Sequence, residues 1–378
     1  MPALYELMDG SRLNQSAWEC TRQSRWKDTT QRYLANMLLE NMVLKEEVME
    51  HRYSVRPTTD FMLNERGRIR KIEAPNVRDR VVQKPIVKDV LIPSLVPYLI
   101  YDNYASLARR GTSMARRRFE IMLREYINRN GTDGYILLID ISKYFENIDH
   151  KVLKQLIGPR LADEPADVVE LIHYIIDTSS KTSKGLNLGS EAPQILAVYY
   201  LNLIDTFVKI VKSVKYYGRY MDDMFIICRT KQEAKGLLDE ISAQMEYLVL
   251  NINEKKTQIV KLSHGFTYLQ VKYIIKSGGK IKKCVTPGKV IRERRRLKGF
   301  KRQYDAGLMT ETEIYNCYQS WRGTIVKDYN ACKHTLQRMD ALYASLFPEH
   351  QPYVRRGRKA IVVEMNRSAE TQDLRFIV

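Results

Sequence analysis

Two segments limit what this chain can fold into. Residues 135–139, "YILLI", form a short continuous apolar run that ends at Asp140. Such a run suits a strand buried on both faces and closed by a polar residue. Residues 216–228, "YYGRYMDDMFIIC", set aromatic and apolar halves on either side of Met221-Asp222-Asp223. That pattern predicts a β-hairpin with the acidic pair at its tip. Helices are expected from Pro165 to Ile176 and from Pro193 to Val211, between the two strand regions. Helices alternating with antiparallel strands make an α+β chain.

The same segments suggest a chemistry. An Asp pair alone is a common turn former, but a second buried strand ending at Asp140 would bring carboxylates from distant positions to one place. Hard oxygen ligands of this kind suit Mg²⁺, with Mn²⁺ as an alternative. Two such ions about 3.5–4 Å apart stabilise both the attacking and the leaving oxygen when a nucleotide is joined to a 3′-hydroxyl. The charge balance agrees: 62 Lys and Arg against 44 Asp and Glu leave +18. Such an excess favours polyanions, nucleic acid first and an anionic membrane second.

Other features narrow the class. At 378 residues the chain is long enough to bury a sizeable core. No run of about 18 apolar residues is apparent, and Met1 to Asp9 has neither a basic leader nor a small-residue cleavage site, so a cytoplasmic protein with no membrane association is expected. The cysteines, Cys20, Cys228, Cys284, Cys317 and Cys332, are scattered without metal-ligand or disulfide spacing and are read as reduced. Trp26 to Glu50 lacks Gly and Pro and sets Leu34, Leu38 and Met42 at helical spacing, which predicts one amphipathic helix. Phe61 to Ala74 reads as a basic hairpin turning at Glu65-Arg66-Gly67. Beyond about Ser277 no further strand is expected. Residues 281–305 hold ten Lys or Arg and two acids, and the tail from Pro348 to Val378 is a basic segment.

With these residues in view, "LLIDISKYFENIDH" (137–150) and "YGRYMDDMFII" (217–227) resemble motifs A and C of reverse transcriptases. The resemblance extends over roughly residues 55–345. It implies a right-hand polymerase fold, with fingers, an antiparallel-sheet palm and a helical thumb. On that frame residues 1–54 form an N-terminal helical extension and 55–130 the fingers. The palm is 131–275, with inserted fingers helices at about 151–187. The thumb is 276–347 and the tail 348–378. The activity implied is RNA-directed DNA polymerisation by two-metal nucleotidyl transfer. Metal would be held by Asp140, Ile141, Asp222 and Asp223. Arg68 and Arg70, in "RGRIRKIEAPNVRDRVVQ", match positions that grip the incoming triphosphate. Lys256, in "INEKKTQI", stands where the family has a candidate general acid. "GFTYLQVKY" (265–273) is similar to the primer-grip hairpin, with Gln270 where glycine is more usual.

Phe145, five residues after Asp140, matches the aromatic position that collides with a ribose 2′-hydroxyl; an apolar ring cannot satisfy a buried hydroxyl, so deoxynucleotides are expected. Asp149 is expected to cap a helix and His150 to be structural. Val290, Leu297 and Tyr304 form an apolar stripe on a helix whose other faces carry Arg292, Arg295, Arg296, Lys298 and Arg302, a surface for a template–primer duplex.

"LGSEAPQ" (188–194) departs from the QGxxxSP pattern of intron and retroviral enzymes. Leu188 and Gln194 instead resemble the diversity-generating retroelement group, with Pro193 in place of its Ser. Gly189 and Gln194 are the expected substrate-binding residues there. Leu188 offers no amide hydrogen bonds, so looser base selection is expected. The resemblance then implies error-prone copying of an RNA template, mutagenic retrohoming of the cDNA and a small basic accessory protein as partner. Two alternatives stay open: a group II intron-type enzyme acting as an RNA-binding splicing cofactor, and a phage-defence reverse transcriptase.

Overall fold

The computed structural model describes residues 2–65, 68–187 and 189–348, with the side chains of Glu65, Arg68 and Arg70 also outside the description. The expected turn residues Arg66 and Gly67, Leu188 and the tail beyond Pro348 therefore lie outside the described residues. The chain divides into two compact units, residues 1–286 with 329–331, and residues 287–328 with 332–378.

The first unit is built on a four-stranded antiparallel sheet in the order β4-β5-β3-β6, where β3 is Tyr135–Ile139, β4 Tyr217–Tyr220, β5 Asp223–Cys228 and β6 Gln258–Lys261. The expected run 135–139 is the inner strand between β5 and β6, and Ile136, Leu137 and Ile139 are buried. Continuous apolar sequence suits that place, because helices cover the sheet while neighbours flank both edges. Helix Lys231–Tyr247, opened by a capping box of Thr230 and Glu233, packs on β3 and β5 through Ala234, Leu237, Ile241 and Met245.

A second, three-stranded sheet runs β7 (Phe266–Tyr268), β8 (Val271–Ile275), β9 (Ile281–Val285). Here β9 corrects the expectation that strands end near Ser277. Its sequence, "IKKCV", is an edge strand in which lysines hide the apolar alternation. Phe119 of helix Thr112–Asn130 joins the two sheets, with ring centroids 4.8 Å from Phe225 and 4.9 Å from Tyr273. The predicted fingers hairpin is present as β1 (Thr59–Glu65) paired with β2 (Arg68–Ala74).

The N-terminal stretch is also corrected. It is two helices, Asp28–Ala35 and Met37–Met49, and Leu38 and Met42 face solvent while Tyr33, Asn41, Leu44 and Val48 turn inward. The break at Asn36 rotates the second helix, and the Tyr33 hydroxyl donates to Asn41 across it. Arg78, on helix Val77–Ile86, is anchored by Glu47 and stacks over Tyr53.

The helices expected near 165–176 and 193–211 are Ala166–Asp177 and the series Glu191–Tyr200, Asn202–Thr206 and Phe207–Val211. By length and composition alone Glu191–Val211 is apolar enough to cross a membrane, and 56% of its apolar 18-residue window is buried inside the protein, as in the core helix of a soluble protein. All five cysteines are free thiols.

The second unit comprises helices Pro287–Asp305, Glu311–Asp328 and Lys333–Leu346. Its core contains Leu297, Ile314, Tyr318, Ile325, Met339 and Tyr343, and the Tyr318 and Tyr343 rings stack 4.6 Å apart. The predicted stripe is partly realised: Leu297 is buried, Val290 is half-buried and Tyr304 is largely exposed.

Candidate active site

Asp140 follows β3, and Asp222 and Asp223 occupy the β4–β5 hairpin, where Tyr220 pairs with Asp223 across a loop of Met221 and Asp222. Because β3 pairs with β5, Ile139 opposite Met224, the three carboxylates emerge at the same end of the sheet. Met221 turns the loop with a positive φ of 56°, an uncommon conformation for a residue with a side chain.

The convergence has an electrostatic consequence. Burial, then the negative charges of Asp222 and Asp140, push the Asp223 carboxyl up to about 7, with Lys256 opposing. A site that resists carrying three charges is one that a cation would relieve. The Lys256 ammonium already sits on Asp140, 2.6 Å from both carboxylate oxygens. Asn253, which the sequence reading passed over, donates its amide to Asp140 Oδ2 at 3.0 Å and its backbone N–H to the Asp140 carbonyl at 2.8 Å. Its signal was an Asx-type turn former opening "NEKK". Ile141 bridges Ile252 on the same segment. Among the described residues no three acidic, His or Cys side chains already form a closed metal set. The donor chemistry nonetheless fits a hard divalent ion: carboxylates and a backbone carbonyl, mutually repelling and half-buried.

Two cavities meet at this carboxylate end. The larger, of about 870 Å³, is lined by Ile141, Phe145, Asp222, Asn253 and Lys256, by Ile69, Lys71 and Glu73 of β2, and by the polar loop 179–187. Phe145 stands on the wall of this cavity, edge-on to the buried Tyr144 at 5.5 Å. Its carbonyl accepts the Leu186 N–H at 2.8 Å, which ties this wall to the loop leading into helix Glu191–Tyr200. The smaller cavity, of about 410 Å³, runs from Asp140 and Asp223 to Thr267, Leu269 and Lys272 of the β7–β8 hairpin.

The remaining expected residues are dispersed. Arg68 and Arg70 lie on β2, and their side chains fall outside the described residues. Lys71, from the same strand, is a cavity-lining cation that sequence alone did not single out; it is paired with Asp60 at 2.8 Å and Glu73 at 2.7 Å. Among the described residues Gly189 and Gln194 do not line the larger cavity. Gly189 packs where a Cβ would stand 2.3 Å from Pro75 Cδ and 2.8 Å from the Glu73 carbonyl, so only glycine lets this loop approach the end of β2. Gln194 Oε1 accepts the Ser106 hydroxyl at 3.4 Å. Asp149 caps its helix by accepting from Lys151 and Val152, and buried His150 contacts the Gly185 carbonyl at 2.8 Å, both as expected. In the second unit Arg292, Arg295, Lys298 and Arg302 are exposed on helix Pro287–Asp305, while Arg296 contacts Glu293 at 3.7 Å and lies over Phe300.

The largest omission is Arg219. A charged residue inside an otherwise apolar strand was the available signal. Its side chain and that of Asp205 are both completely buried and form an ion pair behind the hairpin.

Comparison with known proteins follows the same outline. Residues 58–273 match the sequence profile of the family described as reverse transcriptase (RNA-dependent DNA polymerase). Protein YkfC of Escherichia coli (strain K12) is 22% identical over 278 residues, covering 62% of this chain and 71% of that protein. Among solved structures, telomerase from Candida albicans in complex with a fragment of telomeric RNA superposes with a TM-score of 0.48 at 11% identity, covering 84% of this chain and 65% of that one. Apo telomerase from Candida tropicalis gives a TM-score of 0.48 at 13% identity, with 83% and 66% covered. The chain spans less than two thirds of the length of these telomerases.

Proposed function

The chain belongs to the reverse transcriptase family, whose members are RNA-directed DNA polymerases using divalent metal ions, and we propose that it copies RNA into cDNA for a diversity-generating retroelement. The observation that carries polymerisation is the meeting of Asp140, Asp222 and Asp223 at one end of the palm sheet, with a cavity on either side. In this reading the larger cavity takes the deoxynucleoside triphosphate and the smaller takes the primer terminus. Asp140, Asp222 and Asp223, with the Ile141 carbonyl, would hold two Mg²⁺ ions, which when bound supply charge stabilisation to the attacking and leaving oxygens.

The 3′-hydroxyl gives up its proton to solvent, and its oxygen forms a bond to the α-phosphorus as the bond to the pyrophosphate oxygen breaks. Arg68 and Arg70 grip the triphosphate from β2, and Lys256 delivers a proton to the departing pyrophosphate. Phe145 crowds a 2′-hydroxyl. Gly189, set against the end of β2, and Gln194, on the helix that follows, contact the substrate. Arg292, Arg295, Arg296, Lys298 and Arg302 follow the phosphates of the template–primer duplex. The domain limits given above divide fingers, palm, thumb and tail accordingly.

Error-prone copying, cDNA retargeting and a basic accessory partner rest on Leu188 and Gln194. The decisive measurement is primer extension on RNA by the full chain with Mg²⁺ and deoxynucleotides. Asp222→Asn should abolish it with RNA affinity retained; extension by that variant would end the polymerase reading. Sequencing the product tests the subtype, since faithful copying at template adenines would exclude it.

A further inference from the structure

The acidic hairpin is held from behind by a buried cation. Arg219 leaves β4 toward the interior, and neither it nor Asp205 is exposed at all. Its Nε donates to Asp205 Oδ1 at 2.8 Å and its Nη2 to Asp205 Oδ2 at 2.5 Å. Nη2 also donates to the Val198 carbonyl at 2.9 Å, and Nη1 to the Met221 carbonyl at 3.0 Å. Asp205 accepts a further hydrogen bond from the Tyr217 hydroxyl at 2.6 Å. One guanidinium therefore joins the helix series 191–206 to the carbonyl of the left-handed residue that precedes Asp222.

Burying two ions costs several kcal/mol each, and an apolar pair of similar volume often serves stability as well or better. A reason other than stability is needed for a charge pair at this depth. Only arginine reaches three groups at once with a rigid fork; lysine presents a single point charge. We infer that Arg219 and Asp205 are positioning residues, which fix the Met221 carbonyl and so aim Asp222 and Asp223 at the metal ions. The inference rests on the polymerase reading above.

The test uses the full chain and three variants: Arg219→Lys, Asp205→Asn, and the double change Arg219→Met with Asp205→Leu. Mn²⁺ affinity is measured by electron paramagnetic resonance without nucleic acid, next to thermal melting and the kcat and KM of primer extension. Groups that orient metal ligands typically change metal affinity or activity by about 10–100-fold when removed. The expected result is Mn²⁺ binding and kcat both weakened by at least about tenfold in the double variant, with the KM for deoxynucleotides nearly unchanged. Arg219→Lys, which keeps the charge but loses the fork, should show the same direction with a smaller fall in melting temperature than Arg219→Ala. A folded double variant, or a folded Arg219→Lys, with wild-type Mn²⁺ affinity and kcat would overturn the inference. Wild-type protein that extends no primer would overturn the polymerase reading alone, and its Mn²⁺ affinities would still decide the positioning role.

Discussion

Two tight turns flank the smaller cavity, and they are secured differently. The β4–β5 turn carries Met221 at a φ of 56°; the β7–β8 turn carries Leu269 at 42° and Gln270 at 65°. Neither uses glycine, and in each an arginine outside the turn residues themselves donates to a turn carbonyl. At the first turn the arginine is Arg219, fully buried and neutralised by Asp205. At the second it is the half-buried Arg116, whose Nε and Nη2 reach the Leu269 carbonyl at 3.1 and 2.7 Å, while the Tyr329 hydroxyl donates to the Gln270 carbonyl at 3.3 Å. A buried clamp leaves the geometry of the acidic turn little freedom. A half-exposed clamp on the β7–β8 turn leaves room for adjustment.

Breaking the clamps should separate them. Arg219→Ala strands a buried carboxylate and should cost about 3–5 kcal/mol in denaturant unfolding, a large share of the roughly 5–15 kcal/mol that a domain typically has. Arg116→Ala removes hydrogen bonds at a half-exposed site and should cost only about 1–2 kcal/mol by the same measurement. Gln270→Gly acts in the opposite direction: relief of the left-handed conformation should stabilise by about 1 kcal/mol, seen as a raised melting temperature. A fall in stability would show that the Gln270 side chain carries more than its backbone strain.

The turns should also differ in pH response. With its carboxyl pushed up to about 7 in the fold, Asp223 binds a proton that the unfolded chain, near 3.9, does not hold. Its contribution to stability is therefore fully present below about pH 4 and is lost as pH rises through about 7. In chelator, the melting-temperature difference between wild type and Asp223→Asn should change across this window, and it should be flat above pH 8. Gln270→Gly should show no such dependence. A pH-independent difference for Asp223→Asn would mean that burial and the neighbouring carboxylates do not raise its carboxyl in the fold.

The comparison also explains what sequence could reveal. Asp140 and the acidic hairpin were legible because each is set by a local pattern: a buried strand ending in a polar residue, or a turn between apolar halves; Phe145 was singled out only by the resemblance, and its place on a cavity wall came from the fold. Arg219 was visible but uninterpretable, since its partner Asp205 lies 14 positions away on a different element. Lys71 was one more charge in a basic hairpin until β2 placed it on a cavity wall. β9 escaped notice because an edge strand tolerates lysines on its open face. The exposed Leu38 and Met42 misled because helical spacing identifies a stripe without saying which stripe a break at Asn36 turns inward.

The small sheet has a further consequence for protein engineering. After β9 the chain runs through two helices and returns at residues 329–331 to the strand it left: the Lys283 N–H donates to Asn330 Oδ1 at 2.7 Å, the Ala331 N–H to the Lys283 carbonyl at 3.2 Å, and Asn330 Nδ2 to the Ile281 carbonyl at 3.0 Å. Departure and return share one doorstep. A short Gly/Ser splice from Thr286 to Tyr329 would keep the bonds of that doorstep while stripping helix Lys333–Leu346 of the two helices that share its core, so the strand and the helical unit can be perturbed separately.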